Sequence, residues 1–480
     1  VQSLLLAFVL VAAAAAPART QEFADHFLDR TMRVDYLYTG GPAVSGSGGL
    51  PTTIIAIDRI VGDGPWAGGR TRLVDDTGLG PYRFLVEDAA DGTLLYSRGF
   101  SSVYAEWLTT SEAGQTHRTF SASLRFPWPR SPVRLKLERR DPENRFVVFW
   151  ETTVDPDAPE VNPAPLAPVG RVWAVQESGP PQEKVDLLLI GDGYTAEELE
   201  KFHADARRLM EALFAQEPFG TRRDDFNVWG LDLPTAESGV TRPESGVFRR
   251  NLLGTSYGIF GTERYMLTYE NRTLRDIASA APYDAVTILV NSNQYGGGGI
   301  FNDHATVAVD SDFAEYLFLH EFAHHFAALA DGYYSSEVAY ETGREDLPEP
   351  WEPNVTALHD PAALKWLDLV EPGTPIPTPW EKEKYDAHAA EIEQRRRALL
   401  ESDASPEALD ALFQEQKAWE EAFFQSQEYW GRVGAFEGAN YETTGMYRPA
   451  LDDIMFSRNE VGFEPVSRRA IERVIDLYSR

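Results

Sequence analysis

Two histidines four residues apart enclose a glutamate in the run His320-Glu321-Phe322-Ala323-His324. Positions i and i+4 of a helix lie one turn apart on one face, so both imidazoles can reach a single zinc ion at about 2.0–2.1 Å. Glu321 lies beside them without having to ligate. Zinc lowers the pKa of a water it holds to about 7, and a neighbouring carboxylate can take that proton during attack on a peptide carbonyl and return it to the leaving amine. The spacing is specific. With 9 histidines and 75 acidic residues in 480, a His-acid-x-x-His run arises by chance only about 0.03 times per chain. The bland alternative is a pair of helix histidines packed in a polar core.

A tetrahedral catalytic zinc needs a third protein ligand and one open position. Asp331, seven residues beyond His324, is the candidate. On a continued helix it would stand about 10 Å further along the axis at 1.5 Å per residue, too far to share an ion. The helix must therefore end early, with the turn made by residues 327–330. Glu337 is a weaker ligand candidate, and a purely structural Asp331 remains the alternative. His325 is expected to pack or meet solvent, and Asp303 and His304 to line the rim.

The elements that must hold these residues follow a strand–helix alternation. Asp312 and Glu315 can cap the histidine helix, and residues 305–309 before it read as an exposed or edge strand. Val286-Thr287-Ile288-Leu289-Val290 and Val185-Asp186-Leu187-Leu188-Leu189-Ile190 are apolar strands. After the second, Gly191-Asp192-Gly193 makes a turn without the dinucleotide fingerprint or a phosphate-loop lysine, and Thr195 with Glu198 forms a capping box opening a helix to about Phe214. Residues 23–155 carry short β-rich runs broken by Gly, Pro and Asp, the pattern of an all-β sandwich, with no arrangement that demands chemistry. Five prolines in residues 156–170 suit a semi-rigid linker. The expected organisation is thus a sandwich over 23–155, a linker over 156–172 and an α/β domain over 173–480.

Residues 380–430 differ in character and read as an inserted helical hairpin. Tyr385, Ala389, Ile392, Arg396 and Leu399 recur at alternating four and three, as do Leu409, Leu412, Gln416, Trp419 and Phe423 after Ser405-Pro406, an N-cap and first-turn pair. A packing arm is one reading, a substrate-gating or partner-binding arm the other.

A formal charge of −31 repels phosphate backbones and anionic lipid surfaces, which excludes nucleic acid as the expected partner. The cluster Arg395-Arg396-Arg397 reads as a solvated helix face. After the apolar run at residues 4–16, no stretch approaches the ~20 apolar residues of a membrane span. That run, followed by Ala16-Pro17-Ala18, reads as a signal peptide over residues 1–18, so the protein is expected to be exported, whether secreted, periplasmic or held at the cell surface. The absence of cysteine rules out disulfides and thiolate metal sites.

On these residues the sequence resembles the IgA-specific metalloendopeptidase family, grouped with the metzincin-like zinc peptidases. The likeness runs from Ile190-Gly191-Asp192-Gly193-Tyr194-Thr195 through Tyr295-Gly296-Gly297-Gly298-Gly299, the His320 to His324 block with Leu329-Ala330-Asp331-Gly332-Tyr333-Tyr334, Phe436-Glu437-Gly438-Ala439 and Tyr447-Arg448-Pro449. The β-rich first part, with Arg98-Gly99-Phe100-Ser101, is similar to that family's N-terminal domain, and only the hairpin falls outside. The resemblance implies His320, His324 and Asp331 as ligands of one catalytic Zn2+, Glu321 as general base, and Met455 as the methionine of the turn beneath the metal. It implies a metzincin-like peptidase domain acting on protein or peptide substrates, without transferring an immunoglobulin substrate. The chain departs from the family pattern at Ala327-Ala328, where glycine is common, and at Gly332, where an acidic residue usually follows the aspartate. The glycine run and residues 305–309 are expected either to form the cleft's upper rim, where a substrate adds as a strand, or to be a structural loop. The competing functional reading is an exported binding protein on a degenerate peptidase fold, against which the intact Glu321 speaks.

Overall fold

The computed structural model describes residues 23–42, 52–335, 347–402 and 404–479. The run at residues 4–16 and Glu337 lie outside them. After a single turn, α1 (Phe23–His26), the first part of the chain builds two four-stranded sheets. One has the order β5 (Arg118–Pro129), β1 (Phe27–Gly41), β2 (Thr52–Gly62), β8 (Val161–Asn162). The other has β4 (Leu94–Phe100), β3 (Tyr82–Asp88), β6 (Val133–Arg140), β7 (Phe146–Val154). Inward side chains of both, such as Val34, Tyr36 and Phe126 from one and Phe84, Val86 and Leu135 from the other, form a common core. The proline-rich stretch is more than a spacer, because Val161 and Asn162 pair in parallel with Ile60 and Val61. Between β4 and β5 a short helix, α2 (Val103–Leu108), starts at Ser102, whose hydroxyl accepts the Ala105 N–H.

The second part is a mixed α/β unit. Its six-stranded sheet runs β13 (Gly297–Ile300), β14 (His304–Ala308), β12 (Ala285–Val290), β10 (Val185–Asp192), β11 (Phe226–Asp232), β9 (Arg171–Gln176). The four inner strands are parallel, and β13 and β9 run antiparallel at the edges. Every residue of β10 and β12 is buried, as expected of strands covered on both faces. The period of two divides β10 cleanly. Leu187 and Leu189 face α3 (Leu199–Phe214), α5 (Ala314–Ala327) and α8 (Pro465–Ser479), while Leu188 and Ile190 face α4 (Asn271–Ala278). Thr195 and Glu198 form the capping box ahead of α3.

Two local expectations are corrected. Residues 305–309 are not an edge, since β14 is flanked by β12 and β13 and is buried throughout. The edge strand is the glycine run itself, which carries no apolar alternation to betray it. Asp312 and Glu315 do not cap α5: its N-cap is Phe313 without a side-chain cap bond, and Glu315 instead lies 3.6 Å from Arg208.

The two parts meet across a buried ionic network. Arg33, fully buried on β1, reaches Asp35, Asp63 and, on α4, Asp276. Arg125 bridges Asp63 and the Tyr283 carbonyl at 2.9 Å each. Closer to the cleft, the Ser101 N–H donates to the Phe301 carbonyl and the Asn302 side chain to the Gly99 carbonyl, both at 2.9 Å. These bonds tie the start of α2 to the end of β13.

The residues beyond 380 form two helices, α6 (Lys382–Glu401) and α7 (Pro406–Gln425). The pairings of Tyr385 with Glu420 and of Arg395 with Glu415 show that they run antiparallel. Arg395, Arg396 and Arg397 pair with Glu415 and Glu393 on the hairpin's own surface. A small two-stranded ribbon follows, β15 (Phe436–Ala439) with β16 (Glu442–Arg448). No helix among the described residues is long and apolar enough to cross a membrane.

Candidate metal centre

His320 and His324 lie one turn apart on α5, and their Nε2 atoms stand 3.1 Å from each other. Each ring is fixed from behind. His320 Nδ1 donates to the Ile454 carbonyl at 2.9 Å, and His324 Nδ1 to the Leu329 carbonyl at 2.5 Å. With those protons committed, both Nε2 lone pairs point to the same place.

Asp331 reaches that place because α5 stops at Ala327. Ala328 takes left-handed backbone angles, φ +54° and ψ +33°, and its N–H closes on the His324 carbonyl at 3.1 Å. Glycine is the usual residue in that conformation, so the substitution of alanine for the family's glycine changes the cost and leaves the turn in place. Asn354 then clamps the reversed chain, accepting the Ala330 N–H and donating to the Ala330 carbonyl, both at 2.8 Å. Asp331 Oδ1 ends 3.0 Å from His320 Nε2 and 3.2 Å from His324 Nε2. The departure at Gly332 has a steric reason. A Cβ there would stand 3.0 Å from the Phe456 Cβ, while the Gly332 N–H donates to the Met455 carbonyl at 2.7 Å.

His320, His324 and Asp331 are the group among the described residues whose ligand atoms converge closely enough to hold a metal ion. The donor set fits one. Ligand atoms about 2.05 Å from a tetrahedral centre are about 3.3 Å apart, close to the separations here. Asp331 Oδ1 is buried and has no hydrogen-bond donor. Three lone-pair donors thus share one small space, which calls for positive charge. Burial works against a charged His324, but Asp331 and Glu321 outweigh it and push its pKa up to about 9. Burial would raise the Asp331 carboxyl, and the two imidazoles instead hold it well below the usual range. A proton is the weaker substitute for a divalent cation in the same electrostatic trap.

Glu321 is buried beside this group, and burial pushes its carboxyl up against the pull of His320 and His324. The glycine strand is laid directly over it. A Cβ on Gly297 would lie 2.9 Å from Glu321 Cγ, and one on Gly299 only 2.2 Å from the Glu321 carbonyl oxygen. The run is glycine because edge strand and helix approach to backbone distance. The outer edge of β13 is partly taken, since the Gly297 N–H donates to the Arg264 carbonyl and its own carbonyl accepts the Met266 N–H.

Met455 is fully buried in a turn closed by the Phe456 and Ser457 N–H groups on the Asp453 carbonyl. This turn carries the Ile454 carbonyl that orients His320. His325 packs, as one of its two expected readings had it, and the expectation that Asp303 and His304 line the rim is corrected. His325 is buried on the far side of α5, donating to the Ile300 carbonyl and accepting the Val286 N–H, with its pKa lowered to about 4 by burial. Asp303 pairs with Arg275 at 2.6 Å, and His304 is buried in β14, so neither lines the rim.

The sequence reading missed Tyr441, whose hydroxyl donates to Asp331 Oδ2 from the β15–β16 turn. It also missed Tyr333, which stacks 6.0 Å from the His320 ring and hydrogen-bonds Arg264, and Asn354. The sequence carried little signal for Tyr441, because both φ angles of the Asn440-Tyr441 turn are positive where hairpins usually place glycine. Arg448 holds the ribbon against the methionine turn, donating to the Gly438 and Leu451 carbonyls with its guanidinium 3.6 Å from the Phe456 ring centroid.

Two cavities open on His320 and Glu321 and share Arg264 and Tyr333. One, of about 610 Å³, extends to α2 of the first part and includes Glu106, Gly299, Asp331 and Tyr441. The other, of about 530 Å³, extends under the helical hairpin.

Residues 173–475 match the family described as IgA Peptidase M64, and residues 22–151 match the one described as Peptidase M64 N-terminus. No curated protein matches the chain. The peptidase match covers well over half of the sequence and contains the whole histidine–aspartate group, so the chain belongs to the IgA peptidase M64 family and is a metallopeptidase.

Proposed function

We propose that the protein is an exported zinc endopeptidase in which His320, His324 and Asp331 hold the metal and Glu321 is the general base. The observation that carries this is the convergence of three ligand atoms, two imidazole nitrogens and a carboxylate oxygen, at 3.0–3.2 Å from one another beside a buried glutamate. Zinc bound there supplies a Lewis acid that polarises the peptide carbonyl and acidifies water.

The chain's own residues do the rest. Ile454 and Leu329 lock the imidazole tautomers, and Tyr441 orients Asp331 by occupying its second oxygen. Glu321, raised by burial, accepts a proton from water at its carboxylate and delivers it to the departing amine nitrogen. Arg264 and Tyr333, at the junction of the two cavities, are placed to donate to the substrate carbonyl oxygen as negative charge develops on it. Met455 forms the floor of the site through the turn that bears the Ile454 carbonyl. A cleft open on both sides of Glu321 suits cleavage within a chain rather than at its end.

The test is Glu321→Gln, which keeps shape and ligands. Hydrolysis of a peptide library should fall by at least ~10² with zinc content unchanged. Turnover near the wild-type rate would remove Glu321 from the role. Export through residues 1–18 is tested by sequencing the N-terminus of protein recovered outside the cytoplasm of a producing cell.

A further inference from the structure

The hairpin seam that repeats every three to four residues does not close on itself along its whole length. Near its base, Tyr385, Phe423 and Phe424 pack with Tyr334, Trp380 and Phe456, and the seam is sealed. Towards the tip, Ile392 and Leu400 of α6 and Leu409 and Phe413 of α7 face the cavity of about 530 Å³ that ends on His320 and Glu321. The wall is held at its side as well. Phe413 packs against Tyr295 and Phe313, with ring centroids 5.3 and 6.0 Å away, and Arg458 lies 3.8 Å from the Phe413 centroid.

Several of the charged groups that line this cavity are engaged with its wall, while Arg242, Glu244 and Glu263 line it as well. Arg458 donates to Gln416, Glu420 accepts from Gln416 and Tyr385, Arg396 pairs with Glu393, and Arg264 bonds Tyr333. On the hairpin side the cavity offers a ligand the apolar surface of Ile392, Leu400, Leu409 and Phe413. A preformed space of this size, apolar along its hairpin wall and continuous with Glu321, lies in the range of small-ligand sites, roughly 300–1,000 Å³.

We propose that the helical hairpin is a specificity wall, and that its cavity binds a bulky apolar side chain of the polypeptide substrate at a fixed position on one side of the scissile bond. The inference rests on the metallopeptidase reading of the same site. It assigns a substrate-binding role to the helical hairpin, which the family match spans, and it makes the enzyme selective for aromatic and long aliphatic residues rather than for charge.

The experiment digests a peptide library with the full-length, zinc-loaded protein and reads the cut sites by mass spectrometry. It then measures kcat/KM on a matched peptide pair carrying phenylalanine or alanine at the enriched position. The expected phenylalanine-to-alanine ratio is at least about 10, the usual discrimination of an apolar pocket. Leu409→Trp, which fills the cavity, and Leu400→Glu, which charges it, should each bring that ratio to about 2 or below, mainly through KM. Melting temperature and zinc content, measured on the same samples, separate a misfolded hairpin from an altered pocket, and the half-buried Leu400 provides the second variant if Leu409→Trp does not fold. Absence of any apolar preference in the wild type, or an unchanged ratio in both folded variants, overturns the proposal. A wild-type protein that binds zinc and cuts nothing overturns the catalytic reading as well, and cleavage that persists unchanged in the Glu321→Gln control is traced to a contaminating protease.

Discussion

Tyr441 donates its hydroxyl to Asp331 from 110 residues further along the chain, out of a two-residue turn in which its own φ is +65°. A tyrosine in left-handed backbone costs on the order of 1–2 kcal/mol, and the turn would accept glycine without that cost. The strain sits where a side-chain hydroxyl meets the carboxylate proposed to bind metal, so the tyrosine is there for its hydroxyl. Tyr441→Phe should therefore weaken zinc binding by about 10-fold or more, the usual effect of removing a partner that orients a ligand. Asp331→Asn should weaken it further, since the charge that balances the ion is lost. Competition with chelators of known affinity measures both, with folding followed by circular dichroism. Equal affinity in the wild type and Asp331→Asn would move the third ligand elsewhere, and Glu337→Gln is the control for that outcome.

Ala328 carries the reversal that returns Asp331 to the histidines, again at positive φ. Ala328→Gly should raise stability by about 0.5–1 kcal/mol, the relief of the left-handed penalty less glycine's extra freedom when unfolded. Chemical denaturation of the metal-free protein checks it, because bound metal would mask so small a change. A fall in stability would mean that the alanine methyl contributes packing that outweighs its strain.

Gly299 has the opposite sensitivity. A methyl group there would lie 2.2 Å from the Glu321 carbonyl oxygen, a backbone atom that cannot swing aside. Gly299→Ala should cost about 1–3 kcal/mol as strand and helix separate, and should lower activity by displacing Glu321. Gly114, exposed and without a positive φ, where an added Cβ meets nothing within 4 Å, serves as the control for activity. A Gly299→Ala protein as stable and active as the wild type would refute the close approach of β13 to α5.

Glu420, buried within the hairpin with Gln416 at 2.8 Å and Tyr385 at 3.2 Å, has its pKa pushed up to about 7 by burial. The folded protein therefore holds this proton more tightly than the unfolded chain, whose glutamate titrates near 4.3. Stability from this group is intact below about pH 4 and is lost as pH rises through about 7, on the order of 4 kcal/mol at most. Glu420→Gln keeps an acceptor for both partners and should flatten the decline between pH 5 and 8. Urea midpoints at those two pH values measure the effect, and parallel curves for variant and wild type would show that Glu420 is ionised in the fold throughout.

Much of the site was legible in the sequence for a local reason. An i, i+4 pair needs only a helix to share a face, so His320, Glu321 and His324 follow from spacing, as does the capping box at Thr195 and Glu198. The alternation within β3 and β6 and the uninterrupted apolar runs of β10 and β12 likewise announce a two-part chain of β-sheet followed by mixed α/β. The family motifs lie on these same segments.

What only the tertiary structure decides are contacts whose partners are far apart in the chain or whose residue types carry no pattern. Asp331 can reach the histidines only because Ala328 adopts a conformation that alanine rarely takes and Asn354 clamps the returning chain. The Ile454 carbonyl orients His320 from 134 residues away, and no periodicity could announce it. The glycine run hid an edge strand because its reason for being glycine is the nearness of another backbone, and a sequence records the missing side chain without recording what fills its place. The hairpin seam showed that two helices pair, but whether an apolar residue in it meets its partner helix or an open cavity depends on how far apart the packed base and the tip are held. That distance is set by Phe456, Tyr334 and Phe313, residues of the peptidase body on which the hairpin rests.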